Sequence, residues 1–118
     1  MTDARLTFRP RHRLSGKLAF ARVFDVKRKA TRGPLTLFAA PNGLPHSRLG
    51  LSIGRRVGNA VRRNQLKRKL REAFRLSQHD WPAGYDWVVT ARRHDDLPLA
   101  TYVETLTALV EKTASPGS

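Results

Sequence analysis

The residues with the most informative chemistry lie between positions 55 and 75. This stretch contains nine lysine and arginine side chains but a single acidic one, that of Glu72. A solvated charged helix face normally mixes signs, because residues three or four positions apart can then form ion pairs. Like charges at this density repel one another in the free protein and gain free energy against a polyphosphate by releasing its counterions. The segment therefore predicts a nucleic-acid-binding surface, with a membrane-surface helix as the alternative.

The same segment has the periodicity of an amphipathic helix. At about 100° per residue, its apolar members fall within about 60° of one another; they are Leu66, Leu70, Ala73 and, at the margin, Phe74. The polar members occupy roughly 100° on the other side; they are Asn64, Lys67, Arg68, Arg71 and Arg75. Val57 and Val61 lie off the apolar stripe, so we expect the helix to begin near Asn59. The stripe is too narrow to anchor a helix in a membrane surface, which favours nucleic acid.

Side chains that could perform catalysis are scattered along the chain. The four histidines have no helix-face metal spacing; they are His12, His46, His79 and His94. Asp95 and Asp96 follow His94, but adjacent residues in a turn seldom converge on one point, so we expect a plain loop there. The chain has no glycine-rich phosphate loop and no cysteine, which excludes a thiolate metal site and a nucleophilic thiol. We therefore expect no catalytic side chain and no metal site.

The charge distribution supports a polyanionic partner. The 118 residues suit one domain, with 23 basic and 9 acidic side chains and a net charge of +14. Residues 1–75 carry 20 basic and 3 acidic side chains, whereas residues 76–118 carry 3 and 6, so positive potential is concentrated as at a binding face. We see neither a membrane span nor a secretory signal, and we disfavour an organellar transit peptide for the arginine-rich start. A cysteine-free chain suits the reducing cytosol, so we expect a cytoplasmic protein.

The first half of the chain predicts an arm, a helix and a strand. Residues 1–14 are basic with little apolar periodicity, which predicts a flexible arm. Ser15 is expected to cap a helix over residues 16–26, on which Phe20, Val23 and Phe24 follow the i, i+3, i+4 rule. Alternation over residues 35–40 predicts a strand, and the Asn-Gly pair at positions 42–43 predicts a hairpin turn after it.

The second half predicts two more strands and a closing helix. A strand over residues 48–54 places Leu49, Leu51 and Ile53 on one face and only glycine and serine on the other. Such a bare face lets a helix or a nucleic-acid backbone approach closely, and we favour helix packing. Residues 85–92 alternate as an interior strand, and a helix follows Pro98 to about residue 112. We therefore expect one domain over residues 15–112 and a disordered tail over residues 113–118.

Three phenylalanines allow two interpretations. Phe20, Phe24 and Phe38 are either part of the core or a platform on which unpaired bases stack. Exposed rings beside a basic surface favour RNA over DNA, because RNA is read mainly through unpaired, stacked bases. We favour the stacking interpretation for Phe20, since the basic helix and the bare strand face together suit a single-stranded substrate.

The basic segment also resembles a known family signature. The pattern, read from position 58, is Gly58-Asn59-Ala60-Val61-x-Arg63-Asn64-x-x-Lys67-Arg68-x-x-Arg71-Glu72-x-Phe74. It resembles the signature of the protein subunit of bacterial ribonuclease P. The likeness continues through residues 48–56, residues 85–92 and the spacing of Phe20, Val23 and Phe24, and it covers about residues 14–110.

The resemblance implies a fold and a set of partners. The implied fold is an α/β (α+β) two-layer sandwich of the ribosomal protein S5 domain 2 type, with the element order α-β-β-β-α-β-α. Its β-α-β crossover is left-handed, against the usual right-handed rule. In the family a large catalytic RNA subunit uses Mg²⁺ to hydrolyse the phosphodiester at the 5′ end of mature tRNA, and the protein assists. The implied partners are ribonuclease P RNA and precursor tRNA, with no obligate protein partner and no membrane.

The resemblance also implies two sets of binding residues. The set expected to contact the RNA subunit is Arg55, Arg56, Arg63, Asn64, Lys67, Arg68 and Arg71. The set expected to line a cleft for the single-stranded leader of precursor tRNA is Phe20, Phe24, Phe38 and Ser52. Two positions depart from the pattern, because Gln65 replaces a common second arginine and Lys27 replaces a common glycine. The alternative function is a ribosomal or general RNA-binding protein without an enzymatic role; a stand-alone nuclease is disfavoured by the absence of a catalytic motif.

Overall fold

Three helices and a four-stranded sheet make up the computed structural model, which describes residues 10–114. In chain order the elements are α1 (Lys17–Val26), β1 (Lys29–Arg32), β2 (Leu35–Pro41), β3 (Arg48–Ser52), α2 (Ala60–Ser77), β4 (Tyr85–Ala91) and α3 (Leu99–Ala114). Both the mixed α+β class and the order α-β-β-β-α-β-α are confirmed. No helix within residues 10–114 combines the length and apolar character needed to cross a membrane.

The strand order in the sheet is β1-β2-β4-β3. Strand β4 is antiparallel to β2 and parallel to β3, so it lies between two strands that are consecutive in sequence. The hairpin predicted from Asn42-Gly43 is therefore wrong. The reason is that β4 occupies the place beside β2 that a hairpin would give to β3. The Asn42 side chain donates to the Asp86 carboxylate on β4 (2.9 Å) and so holds the loop across the end of that strand. The connection from β3 through α2 to β4 joins parallel neighbours, and its left-handedness stays a prediction.

The two faces of the sheet carry different helices. The alternating residues Leu35, Leu37 and Trp87 are fully buried in a large core beneath α2 and α3. The intervening residues Ala40 and Val88 form a smaller cluster beneath α1 on the opposite face; it includes Leu14, Val23 and the partly buried rings of Phe20, Phe24 and Phe38. The two-layer description thus holds for the side of α2 and α3, and α1 adds a partial third layer. The predicted helix packing on the bare face of β3 is observed at Gly50, which Phe20 of α1 covers, whereas Ser52 on the same face is exposed.

Both ends of the described chain differ from the sequence prediction. His12 and Leu14 are buried, and the Leu14 N–H donates to the Leu49 carbonyl (2.9 Å), so residues 10–14 are packed against β3 instead of forming an arm. The N-cap of α1 is Gly16, not Ser15, and no side chain caps the helix. Helix α3 runs to Ala114 because Thr113 is buried, two residues beyond the predicted end. Residues 1–9 and 115–118 of the predicted arm and tail lie outside the described residues.

Lys27 occupies a backbone conformation that favours glycine. Its φ is 61°, in the left-handed region, and its N–H closes α1 by donating to the Phe24 carbonyl (3.1 Å). Left-handed residues commonly end helices, and glycine adopts the conformation at the lowest cost. Lys27 therefore adopts, with some strain, the left-handed conformation that a glycine at this helix end would adopt more easily.

Asp86, at the start of β4, is a buried carboxylate that joins three strand ends. Arg48 on β3 donates to it through Nε (2.8 Å) and Nη2 (2.7 Å), and Asn42 after β2 donates to Oδ1 (2.9 Å). The Asp86 side chain is 5% exposed, whereas that of Arg48 is 28% exposed. Because the Asp86 carboxylate is buried, water cannot fully replace these hydrogen bonds if they are broken. The Arg48–Asp86 pair therefore contributes to the stability of the fold.

We expect Asp86→Asn to lower the free energy of unfolding by about 1–3 kcal/mol, because Arg48 loses its counter-charge at a buried site. Urea denaturation of the full chain measures the change. Glu104→Gln removes the same charge from an exposed position on α3 and should stay within about 0.5 kcal/mol of the parent. Equal midpoints for the two variants would show that the pair adds nothing.

Candidate nucleic-acid interface

The start of the basic helix explains the Gly-Asn pair before it. Gly58 has a φ of 153°, and a Cβ there would lie 3.0 Å from Cγ of Arg62, so a larger residue is disfavoured. Asn59 is the N-cap, and its Oδ1 accepts a hydrogen bond from the Arg62 N–H (2.9 Å). The helix therefore begins at Ala60, as its apolar periodicity predicted.

The buried apolar stripe of α2 determines which of its charged side chains face outward. The stripe residues Leu66, Leu70, Ala73 and Phe74 are at most 1% exposed, which confirms the predicted stripe. Asn64 and Arg68 are exposed, whereas Arg63, Lys67 and Arg71 are half-buried along the edges of the helix. Because the stripe is held in the core, the polar side of α2 faces outward as a stable surface.

Three cations of the basic segment are engaged within the protein. Lys69 donates to Asp96 (2.7 Å) and to the Leu97 carbonyl (2.8 Å), and Arg62 reaches Asp96 (3.5 Å) and the His94 carbonyl (3.0 Å). The hydrogen bond from Lys69 lowers the pKa of the Asp96 carboxyl. These contacts hold the loop before α3 against one flank of α2.

Arg75 is the third engaged cation. It pairs with Glu72, and its hydrogen bonds lower the pKa of that carboxyl. Six basic side chains of the segment form no ion pair with any residue of the described range 10–114. We call them the open cations; they are Arg55, Arg56, Arg63, Lys67, Arg68 and Arg71. They coincide with the basic residues predicted to bind the RNA subunit.

Arg55 and Arg56 extend this surface beyond the helix. They lie in a short 3₁₀ turn, Arg55–Val57, between β3 and α2, and both are exposed. Val57 is buried and anchors the turn to the core. The open cations thus run from the turn along α2, although Arg55 and Arg56 do not line the cavities described below.

The predicted aromatic residues form one connected group on the α1 side of the sheet. The ring centroids of Phe24 and Phe38 are 4.7 Å apart, those of Phe20 and Phe24 are 6.4 Å apart, and both pairs are edge-on. The Lys29 ammonium lies 5.6 Å from the centre of the Phe38 ring. All three rings are half-buried, so each has one part in the small core and another part open to solvent.

Gly50 explains how the Phe20 ring reaches the sheet. A Cβ at Gly50 would lie 2.6 Å from Cζ of Phe20, closer than real contacts allow. The ring therefore rests directly on the β3 backbone, where only glycine leaves room for it. The Phe20 ring therefore packs on the strand face that the sequence predicted to be bare.

Two adjoining cavities connect the rings with the basic helix. A groove of about 540 Å³ is lined by Phe20, Phe24 and Ser52 together with the first turns of α1. A smaller pocket of about 250 Å³ continues from it, shares Gly16 and Phe20, and reaches Lys67 and Arg71 on α2. The structure thus brings together Phe20, Phe24, Ser52, Lys67 and Arg71 of the predicted residues. Phe38 joins them through its contact with Phe24.

A row of hydroxyl groups continues the groove across the sheet and was missed by sequence reasoning. Thr31, Thr36, Thr90 and Ser52 are partners in the register of β1, β2, β4 and β3, so they share one face. Thr31 and Thr36 are hydrogen-bonded through their hydroxyls (2.8 Å). Alternation placed Thr36 beside Phe38, but only the strand register could align the four residues.

The described residues offer no cluster of three metal ligands. Within residues 10–114, His, Asp and Glu side chains do not converge in the way that a metal ion requires. His94 accepts or donates at the Tyr102 hydroxyl (2.8 Å), and Asp96 is engaged by Lys69, so the loop at 94–96 has a structural role.

Together, the fold and an aromatic groove beside open cations define a small α+β protein of the RNA-binding class. A model of the ribonuclease P protein family matches residues 8–114. The ribonuclease P protein component of Chromobacterium violaceum is 44% identical over 86 residues, which are 72% of this chain and 70% of that protein. This chain belongs to the ribonuclease P protein family, which supplies the protein component of a tRNA-processing ribonucleoprotein endoribonuclease.

Solved structures support the same assignment. The ribonuclease P protein of Thermotoga maritima is similar with a TM-score of 0.77 and 32% identity, covering 84% of this chain and 94% of that one. The Staphylococcus aureus protein is similar with a TM-score of 0.75 and 27% identity, covering 88% and 95%. The family resemblance is therefore confirmed, while the roles of individual residues stay predictions.

Proposed function

We propose that this chain binds the RNA subunit through its open cations and holds the single-stranded leader of precursor tRNA in the groove beside Phe20. The observation that carries the proposal is that two of the open cations, Lys67 and Arg71, line a pocket adjoining the aromatic groove. Engaged cations such as Lys69 gain little from a phosphate, because they already have a counter-charge. Open cations release counterions from RNA without losing an internal partner.

The groove suits an unpaired strand. Half-buried phenylalanine rings offer faces to bases of any sequence, and the hydroxyls of Thr36, Thr90 and Ser52 offer hydrogen bonds to sugars and phosphates. A duplex keeps its bases paired and stacked on one another, so they are not free to stack on these rings, whereas the bases of a single-stranded leader are. Precursor tRNA, which has a leader, is therefore the substrate we propose, and mature tRNA should bind less well.

The chemistry is assigned to the RNA subunit with Mg²⁺. The residues near the open cations do not fit a magnesium site, because the carboxylates of Glu72 on α2 and Asp96 before α3 are engaged by Arg75 and Lys69. The protein would instead reduce phosphate repulsion between two RNAs, which lowers the Mg²⁺ concentration needed for their association. We also propose a cytoplasmic location, since a chain without cysteine needs no oxidising compartment.

The decisive experiment combines the purified chain, a bacterial ribonuclease P RNA and precursor tRNA at low Mg²⁺. We expect 5′ leader removal to be faster with the chain than without it, and the enhancement to shrink as Mg²⁺ rises. Lys112→Ala, an exposed change at the far end of α3, serves as the control and should retain the enhancement.

Two outcomes would contradict the proposal. Binding without any enhancement would favour a ribosomal or general RNA-binding protein. Cleavage by the chain without the RNA subunit would instead identify a stand-alone nuclease.

A further inference from the structure

The smaller pocket contains a cation that belongs to neither predicted set of binding residues. Arg13, from the segment before α1, lines it together with Lys67 and Arg71 of α2. The remaining lining is Leu14, Ser15, Gly16, Phe20, Leu49 and Leu51, so no acidic side chain from the described range 10–114 faces it. Three positive side chains from two separate segments therefore surround one cavity of about 250 Å³.

The position of Arg13 is set by the backbone. Residue 13 forms an isolated parallel bridge with Leu49 of β3, and the next residue, Leu14, donates its N–H to the Leu49 carbonyl (2.9 Å). Leu14 is buried in the small core beneath α1. These contacts involve only the backbone of residue 13. The Arg13 side chain is exposed and lines the pocket.

The electrostatics of the pocket favour an anion. Burial and, after it, the charge of Arg13 lower the pKa of Arg71, so the free protein holds like charges close together. The N-terminus of α1 has no side-chain cap, and its N-cap Gly16 and the preceding Ser15 both line the cavity. The partial positive charge of an uncapped helix start adds to that of the three side chains.

We propose that Arg13, Lys67 and Arg71 form a binding site for one phosphodiester group of the leader strand. The inference rests on the proposed function and refines it: Lys67 and Arg71 join Arg13 in binding the leader, and the other open cations remain for the RNA subunit. The pocket shares Gly16 and Phe20 with the groove, so a strand whose bases stack on Phe20 passes its backbone beside Arg13. The RNA subunit is the other possible source of a phosphate, and the experiment distinguishes the two.

The first measurement compares Arg13→Ala with Arg11→Ala. Both remove one arginine from the same short segment, but Arg11 is exposed and does not line the pocket. For Arg13→Ala in the holoenzyme, we expect precursor tRNA to bind about tenfold more weakly, the loss of one charge-assisted contact. The log-log salt dependence should become shallower by about 0.7, and affinity for mature tRNA should not change.

The same variants are then measured against the RNA subunit alone. Arg13→Ala should bind it like the parent chain, because the phosphate belongs to the leader. A loss confined to the RNA subunit would overturn the assignment to the leader. An equal loss from Arg11→Ala would also overturn it, since the effect would then be one of total charge.

A leader with one neutral methylphosphonate at a time gives the sharpest test. At one leader position the methylphosphonate should weaken binding to the parent chain. At that position it should not weaken binding to Arg13→Ala any further, because this variant has already lost the contact. Independent, additive losses at every position would overturn the site. If the proposed function were wrong, the parent chain would not distinguish precursor from mature tRNA. If only the role of Arg13 were wrong, the parent chain would still prefer precursor tRNA, and Arg13→Ala would bind it equally well.

Discussion

Replacing both Arg56 and Arg68 with alanine should weaken binding to the ribonuclease P RNA by about 30-fold at 0.15 M salt. Both are exposed open cations outside the pocket, Arg56 in the turn before α2 and Arg68 on α2 itself, so each should neutralise one phosphate of the RNA subunit. Losing two contacts should make the log-log salt dependence shallower by about 1.4–1.8. Titrations of the RNA subunit at several salt concentrations measure both quantities.

The same helix provides a matched control for this double variant. Arg62→Ala with Lys69→Ala removes two charges from α2, but both side chains are engaged by Asp96 and neighbouring carbonyls. That control should change the salt dependence little. Its exposed ion pairs contribute at most about 1 kcal/mol each to folding. Equal changes in salt dependence for the two double variants would show that RNA binding follows net charge and not the open cations.

Phe20→Leu should reduce affinity for precursor tRNA by 1–3 kcal/mol, about 5- to 150-fold, and leave affinity for mature tRNA unchanged. Leucine keeps an apolar side chain over Gly50 but has no aromatic face for a base. The cost in folding stability should remain below about 1.5 kcal/mol, because the Phe20 ring is only half-buried and leucine remains apolar. Binding to both tRNAs, together with thermal unfolding, separates the stacking role from the structural one.

Gly50→Ala tests the same ring by displacing it from the sheet. An added Cβ would lie 2.6 Å from Cζ of Phe20, so the ring must move away from the β3 backbone. We expect the selective loss for precursor tRNA to appear here too, although Phe20 itself is intact. If Phe20→Leu and Gly50→Ala bind both tRNAs normally but unfold much more easily, the ring is part of the core and the stacking role is wrong.

Sequence periodicity determined the elements that depend on near neighbours. The burial of Leu66, Leu70 and Phe74 follows from about 3.6 residues per turn, and the helix start follows from the cap at Asn59. The charge of α2 and its outward direction were predictable for the same reason. The family signature added the expected fold and partners, and both the fold class and the family are confirmed.

Only the tertiary structure decided which charges are open and which residues share a surface. Lys69 and Arg68 are adjacent in sequence, yet Asp96, far along the chain, engages one and not the other. The strand β4 enters between β2 and β3, which removes the predicted hairpin and aligns Thr36, Thr90 and Ser52. Arg13 reaches the pocket because its backbone pairs with Leu49. These contacts join residues remote in sequence, and local propensity and periodicity carry no information about such partners.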